Sequence, residues 1–282
     1  MGKLKGLLLT EGLHGMISQV EGLAKALDLD YFHEKVELNS FWKLIPPKFT
    51  PVKKFVFKNN IKRDFDIIIS CGRKSVIPSI FLKKINSKKI KNIHVQDPKV
   101  NFKNFDYIIS PEHDDLKADN VISSKGAIHY ITSEEINKKK NYLLEKISKE
   151  KKIITLILGG PTKYYAYSNQ NLLNIFSKIS KQVLNNNFQV IVIPSNRTPS
   201  KTIDLAKKFF TKEHLIIDKV DKDAYLSSLG IADYIIVTCD SSSMISEAAL
   251  TGKPLYVAMI PPSKKDTSCL LYTSPSPRDT AL

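Results

Sequence analysis

The feature that most constrains this chain is a succession of short, almost unbroken Ile/Val/Leu runs alternating with amphipathic helical segments. Runs at Leu4–Thr10, Leu29–Glu37, Phe65–Ser70, Asn92–Val95, Tyr107–Ser110 and a weaker one at His129–Thr132 read as strands. A strand with one wet face alternates apolar and polar residues, whereas continuous apolar content marks a strand covered on both faces, as in a parallel sheet. Helices are predicted at Met16–Leu27, with Ile17, Val20, Leu23, Ala24 and Leu27 on one face, and at Val76–Ile85. A second series has strands at Ile153–Leu158, Gln189–Pro194, His214–Ile217, Tyr234–Thr238 and Leu255–Ala258, with helices at Asn169–Leu184, Lys201–Phe210, Ala224–Leu229 and Ser242–Leu250. Between the two, Ser133–Lys152 is helical and highly charged, and its thin stripe of Ile136, Leu143, Leu144 and Ile147 marks it as a connector. The expected architecture is α/β: Rossmann-like halves at 1–132 and 153–268, joined by 133–152, with parallel sheets facing a cleft. Ligands in open parallel sheets bind beyond the carboxyl ends of the strands, so the strand-end loops are where chemistry is sought.

Composition narrows the function class. With 282 residues, 42% hydrophobic and 25% charged, the chain suits two domains with ordinary cores. No apolar run approaches the ~18–20 residues of a membrane-spanning helix. Met1–Thr10 is too short for a signal peptide, and Gly6 stands where a myristoylation signal needs Ser or Thr, so a cytosolic protein is expected. The net charge of +15 comes almost wholly from lysine: of 43 basic residues only Arg63, Arg73, Arg197 and Arg278 are arginine. Nucleic-acid readers rely on arginine for bidentate contacts and stacking, so the charge points rather to anionic small molecules or an acidic membrane surface. Cys269–Asp279 (CLLYTSPSPRD) is one reading frame of a transposase sequencing adapter, and we set 269–282 aside from fold reasoning; a truncated gene is expected, with native sequence running to about Ser268 and the second half C-terminally truncated. Cys71 and Cys239 remain, each closing a predicted strand, and they read as buried small residues rather than a disulfide or metal pair.

In the second half, the strand of Ala232–Pro254 runs into Asp240-Ser241-Ser242-Ser243 and a short helix ending near Gly252. Hydroxyl residues at a helix start add Oγ donors to exposed backbone N–H groups, and the dipole favours negative charge, which suits a diphosphate. Glu247, farther along the helix, could accept from a ribose diol. On the simpler reading Asp240 or Ser241 caps the helix and Glu247 is solvated. Gly159-Gly160 ends the first strand of this half, where glycines permit close approach to a phosphate or simply a tight turn, and Lys163 could add a point charge. Arg197 follows the next strand and could fork onto phosphate oxygens or sit on a surface turn. Tyr164, Tyr165 and Tyr167 read as packing or as a stacking surface.

In the first half, His14 lies between Gly12 and Gly15 after the first strand, with Glu11 beside it, an arrangement suited to a general base. Gly72, Arg73 and Lys74 repeat the strand–glycine–basic pattern and could hold a second anionic group. Asp97, Glu112, His113 and Asp114 end two further strands and are acid/base candidates or loop caps.

These loops together resemble the "elongated mitochondria" fission-factor family, whose bacterial members are labelled nucleoside-diphosphate-sugar epimerase-like. The stretches that carry the resemblance are CGRKS, HVQDPKV, YIISPEHD, KGAIHYIT, LILGGPTKYYAY, IPSNRTP and VTCDSSSMISEAALTGKP, in that order. The resemblance implies a glycosyltransferase-B fold, with Ser241, Ser242 and Ser243 meeting a diphosphate and Glu247 the ribose. Gly159, Gly160 and Arg197 would flank the phosphates, and the His14 loop would face the acceptor. Retaining enzymes of this type have a second Glu eight positions away, but those positions hold Cys239 and Leu255, which argues against that mechanism.

The expected function is an inverting, metal-independent glycosyl transfer from a nucleoside-diphosphate sugar to an envelope saccharide or lipid. No permanently bound cofactor is expected, and peripheral contact with an anionic membrane is. A sugar-nucleotide epimerase is a variant on the same fold. The other class is a non-catalytic adaptor, since plant members of the resembled family recruit a dynamin-related protein to mitochondria.

Overall fold

The structure, a computed structural model, describes residues 2–61, 63–86, 90–162, 164–184 and 186–262. It divides into two compact units, the first ending at Tyr130 and the second beginning at Ile131. Both are parallel α/β sheets of the kind the apolar runs dictate.

The first unit comprises β1 (Lys5–Thr10), α1 (His14–Ala26), β2 (Asp30–Lys35), β3 (Ile67–Cys71), α2 (Val76–Ile85), β4 (Lys91–Val95), β5 (Tyr107–Pro111) and β6 (Val121–Ser124). The sheet order is β2-β1-β3-β4-β5-β6, parallel throughout, with Leu8 beside both His33 and Ile69 and Ile69 beside Ile93. Successive side chains of a strand point to opposite faces. Accordingly Leu7, Leu9 and Ile68 pack with Val76, Ile77 and Ile80 of α2, while Leu8 and Ile69 pack with Val20 and Ala24 of α1. Both faces of β1 and β3 are dry at Leu7–Leu9 and Ile68–Ile69, which is why those stretches are unbroken apolar runs.

One strand differs from expectation. His129–Thr132 is not a strand: Tyr130 and Ile131 are buried irregular chain, and Thr132 caps the following helix. The sixth strand is instead Val121–Ser124, a short edge strand paired only with β5. Half-exposed and half serine, it carries too little apolar content to register as a run.

The second unit comprises α3 (Ser133–Lys139), β7 (Lys152–Leu158), α4 (Asn169–Leu184), β8 (Phe188–Pro194), α5 (Ser200–Phe209), β9 (Leu215–Ile216), α6 (Lys222–Ile231), β10 (Tyr234–Thr238), α7 (Ser242–Ala249) and β11 (Leu255–Ala258). Its order is β11-β10-β7-β8-β9, again wholly parallel. Phe176 and Ile203, from α4 and α5, pack with Leu156, Val190 and Val192 in the core. Truncating a buried residue such as Phe176 to alanine costs about 3–5 kcal/mol.

The charged 133–152 segment belongs to this unit. A capping box between Thr132 and Glu135 starts α3. Ile136 and Leu143 are buried, and the Leu143 N–H donates to Ser227 Oγ on α6 at 3.1 Å. Lys139–Asp223 at 2.6 Å and Tyr142–Asp221 at 3.0 Å bind the same helix. Its apolar stripe is thin because it covers one helix rather than a sheet. Among the described residues no helix is long and apolar enough to cross a membrane.

Candidate functional site

In the second unit, the carboxyl ends of β7, β8 and β10 converge on the carboxylate of Asp240. The side chain is wholly buried, and Arg197 Nη2 lies 2.8 Å from its Oδ2. The Gly160 N–H donates to the same oxygen at 3.0 Å, and the Tyr167 hydroxyl donates to Oδ1. The Thr238 hydroxyl lies 2.8 Å from the Tyr167 oxygen and donates to it, and Thr238 Oγ1 accepts from the Gly159 N–H at 2.8 Å. Burial first, and the Asp240 charge second, push the Tyr167 phenol well above its ordinary range, so it stays a donor at every physiological pH.

The glycine pair is explained by close approach. A Cβ on Gly159 would overlap the Asp240 carboxylate, and one on Gly160 would overlap the Arg197 carbonyl. The Arg197 loop is held from the other side as well. Thr198 Oγ1 donates to the Leu158 carbonyl at 2.8 Å, and Arg197 Nη1 donates to the Gly160 carbonyl at 3.0 Å. Gly159, Gly160 and Arg197, expected together, are therefore together. Lys163 lies outside the described residues.

The serines follow immediately. Ser241 caps α7, accepting from the Met244 N–H at 3.5 Å. Ser242 is exposed and Ser243 half-exposed, and neither hydroxyl has a hydrogen-bond partner among the described residues. Both stand in the first turn of the helix, where backbone N–H groups lack intrahelical acceptors. Glu247, by contrast, faces inward. It is 6% exposed and accepts from the Tyr225 hydroxyl of α6 at 2.6 Å. Burial raises its pKa, with the Tyr225 hydrogen bond opposing.

In the first unit the expected residues also lie along the carboxyl rim of the sheet, after β1, β3, β4 and β5. Glu11 Oε1 accepts from the Lys74 N–H at 3.0 Å, and its Oε2 pairs with Lys74 Nζ at 2.8 Å. That contact ties the β1 loop to the β3 loop. Gly12 (φ +84°) and Gly72 (φ +92°) occupy the left-handed region that favours glycine. His14 opens α1, exposed, with Nε2 3.4 Å from the Tyr130 hydroxyl and the two rings edge to face. Arg73 donates to the Lys43 carbonyl rather than standing free. Asp97 is engaged locally by Lys99, Glu112 is exposed, and Asp114 accepts from Ser110 Oγ at 2.6 Å. The side chain of His113 lies outside the described residues.

Sequence reasoning missed a small amide cluster at this rim. Gln96 Nε2 donates to Gln19 Oε1 at 3.1 Å, and the Cys71 thiol approaches the same oxygen. Gln96 sits at φ +81°, a strained conformation for a residue with a side chain. Cys71 is pushed up to about 12, by burial and then by the Glu11 charge, so it is a packing residue and not a nucleophile.

Comparison with known proteins follows the same lines. A family model described as mitochondrial fission ELM1 matches residues 14–268. The uncharacterized protein RP120 of Rickettsia prowazekii (strain Madrid E) is 28% identical over 229 residues, covering 68% of this chain and 64% of that protein. The mitochondrial fission protein ELM1 of Arabidopsis thaliana is 25% identical over 224 residues, covering 68% of this chain and 51% of that one. The chain thus spans less than two thirds of the length of both relatives. Among solved structures, UDP-GlcNAc 2-epimerase from Methanocaldococcus jannaschii superposes with a TM-score of 0.55 at 14% identity, over 95% of this chain and 90% of that one. The co-structure of S. aureus MnaA with UDP superposes with a TM-score of 0.55 at 14% identity, over 90% and 79%. These two likenesses are likenesses of fold: two glycosyltransferase-B-like, Rossmann-type units.

Proposed function

The chain belongs to the mitochondrial fission ELM1 family, and from that premise we propose that it binds a nucleoside-diphosphate sugar in its second unit. The observation that carries this reading is the start of α7. Ser242 and Ser243 offer hydroxyls without a partner among the described residues, in a helical first turn next to a guanidinium anchored by a buried carboxylate. A diphosphate there would accept from Ser241–Ser243 and the helix N–H groups, and Arg197 would supply charge. Gly159 and Gly160 hold the receptor's shape by admitting Asp240 and the Arg197 loop. In this reading Glu247 meets the ribose only if its carboxylate turns from Tyr225. The S. aureus MnaA structure of the same fold holds UDP, a ligand of this chemical class.

The reaction we propose is inverting glycosyl transfer to an envelope saccharide or lipid, in the cytoplasm at an anionic membrane surface. The first unit takes the acceptor, with His14 or Glu11 as base and Gly12, Gly72, Arg73, Lys74, Asp97, Glu112 and His113 as acceptor-side groups. Sugar-nucleotide epimerisation is the variant on the same binding site. A non-catalytic adaptor is favoured by one specific observation: the Glu247 carboxylate is buried against the Tyr225 hydroxyl and is not presented to a ribose.

A thermal-shift panel of UDP, GDP, ADP and CMP separates these readings. One nucleotide is expected to raise the melting temperature, and Ser242→Ala with Ser243→Ala, or Arg197→Gln, is expected to abolish the shift. A flat response to every nucleotide overturns nucleotide binding and leaves the adaptor. If one nucleotide binds, turnover unchanged in His14→Ala removes that residue from catalysis.

A further inference from the structure

From Leu38 to Arg63 the sequence contains no Asp or Glu, but it contains Lys43, Lys48, Lys53, Lys54, Lys58, Lys62 and Arg63. The same stretch, between β2 and β3, carries a concentration of exposed large apolar side chains. Phe41 is 65% exposed, Leu44 81%, Phe49 70% and Phe55 58%. Single surface hydrophobics are ordinary, but a cluster rimmed by one sign of charge marks an interaction surface.

The exposure is not fraying. A bridge between Leu38 and Phe57 closes the loop, with the Asn39 N–H donating to the Val56 carbonyl at 2.9 Å and the Lys58 N–H to the Glu37 carbonyl at 2.8 Å. Val56, Phe57, Pro47 and Thr50 are buried, and Thr50 Oγ1 donates to the Pro46 carbonyl at 3.0 Å. Arg73 fastens the Lys43 carbonyl from the next loop. The segment has therefore sorted its residues: one set fills the core and another is held outward on short 3-10 turns. Trp42 lies half-buried between Phe41 and Phe55, with ring centroids 5.0 and 5.8 Å away.

We infer that the loop spanning residues 39–58 is a membrane-docking surface that seats on an anionic phospholipid bilayer. Apolar tips enter the headgroup–acyl boundary while the lysine ammoniums between them meet lipid phosphates, the pattern of interfacial anchors. Among the described residues Lys43, Lys48, Lys53 and Lys58 pair with no carboxylate, so their charge is available to such a surface. A single-stranded nucleic acid fits less well, because the most exposed side chain is the aliphatic Leu44, which offers no ring to stack on a base. The inference deepens the membrane-surface part of the function proposed above and does not depend on the nucleotide site.

Trp42 makes the test direct, since it is the chain's one tryptophan. The 282-residue chain is titrated with phosphatidylcholine vesicles, with and without phosphatidylglycerol. With the anionic vesicles we expect a blue shift of Trp42 emission, quenching by brominated lipid, and binding that weakens with added salt. Leu44→Glu with Phe49→Glu, and separately glutamine at Lys43, Lys48, Lys53 and Lys58, should each lower partitioning at least tenfold. Nucleotide thermal shifts of the same variants, read in parallel, should match wild type, so the two proposals fail independently. No binding to anionic vesicles, unquenched Trp42, or full binding by the Leu44/Phe49 variant overturns the proposal. So does a Trp42 response to a single-stranded oligonucleotide or an acidic protein with none to lipid.

Discussion

Arg197 and Asp240, separated by 43 residues in sequence, form an ion pair at 2.8 Å in which the carboxylate is completely buried and the guanidinium is 40% exposed. The asymmetry fixes what each side chain contributes. Asp240 is the hub, accepting also from Gly160 and Tyr167, and Arg197 is one of its donors. Asp240→Ala would orphan three donors in one step and should destabilise the second unit by about 3–5 kcal/mol. Arg197→Gln leaves the other two donors in place and should cost only ~1–2 kcal/mol. Urea unfolding of the two variants checks the order, and a larger loss from Arg197→Gln would contradict the hub assignment.

The two glycines of β7's end are forced by neighbours and not by backbone angle. Neither has a positive φ, yet a methyl group at Gly159 would overlap Asp240 and one at Gly160 would overlap the Arg197 carbonyl. Gly159→Ala and Gly160→Ala should each cost about 2–3 kcal/mol. Gly252→Ala is the contrast: it meets nothing within 4 Å and strains only its φ of +66°, so it should cost ~1 kcal/mol. Chemical denaturation of the three variants tests the distinction.

The same residues show what was legible in the sequence. The parallel sheets were, because burial on both faces leaves an unbroken apolar run, and Leu7, Leu8 and Leu9 need no tertiary knowledge to be read. Val121–Ser124 was not, because an edge strand needs little apolar content. The loop positions Gly159, Gly160, Arg197 and Ser241–Ser243 were legible as a strand-end set. Asp240 was not recognised as their hub, since its partners Gly160 and Tyr167 lie 80 and 73 residues away. Locally it reads as one more acidic residue before a helix. Glu247 was placed on the right helix, but its direction depends on Tyr225, a neighbour no spacing within α7 reveals.

Burial holds the Glu247 carboxyl above its ordinary value near 4.5. The folded protein therefore binds a proton more tightly there than the unfolded chain does. This residue's contribution to stability falls as pH rises from the unfolded value through the folded one, and above that window its cost is full. Glu247→Gln keeps an acceptor for Tyr225 without the charge. The variant's stability relative to wild type should be greater at pH 7 than at pH 4. Paired urea titrations at these pH values decide it, since the other carboxylates cancel in the comparison.

The opposite sign applies to His94. Its ring lies in the sheet core of the first unit, with Nδ1 2.8 Å from Ser70 Oγ and 5.2 Å between its centroid and that of Phe105. Desolvation lowers its pKa from 6.5 to about 3, with the Asp97 charge opposing. The folded state thus resists protonation that the unfolded chain accepts. The stability associated with neutral His94 is whole above pH 6.5 and is lost as pH falls towards 3, amounting to about 4–5 kcal/mol at the acid limit. Ser70 also donates to Ser79, and Ser79 to Asn92 Oδ1 at 2.6 Å, so charging the ring would disturb a buried chain of hydroxyls. His94→Gln should lower stability at pH 7 through lost packing and hydrogen bonding. It should also remove most of the difference between pH 7 and pH 4.5 in amide-exchange protection of β3 and β4. Equal acid sensitivity in variant and wild type would place the titrating group elsewhere, in carboxylates such as Asp106 that Lys83 and the Asn92 N–H hold below their ordinary range.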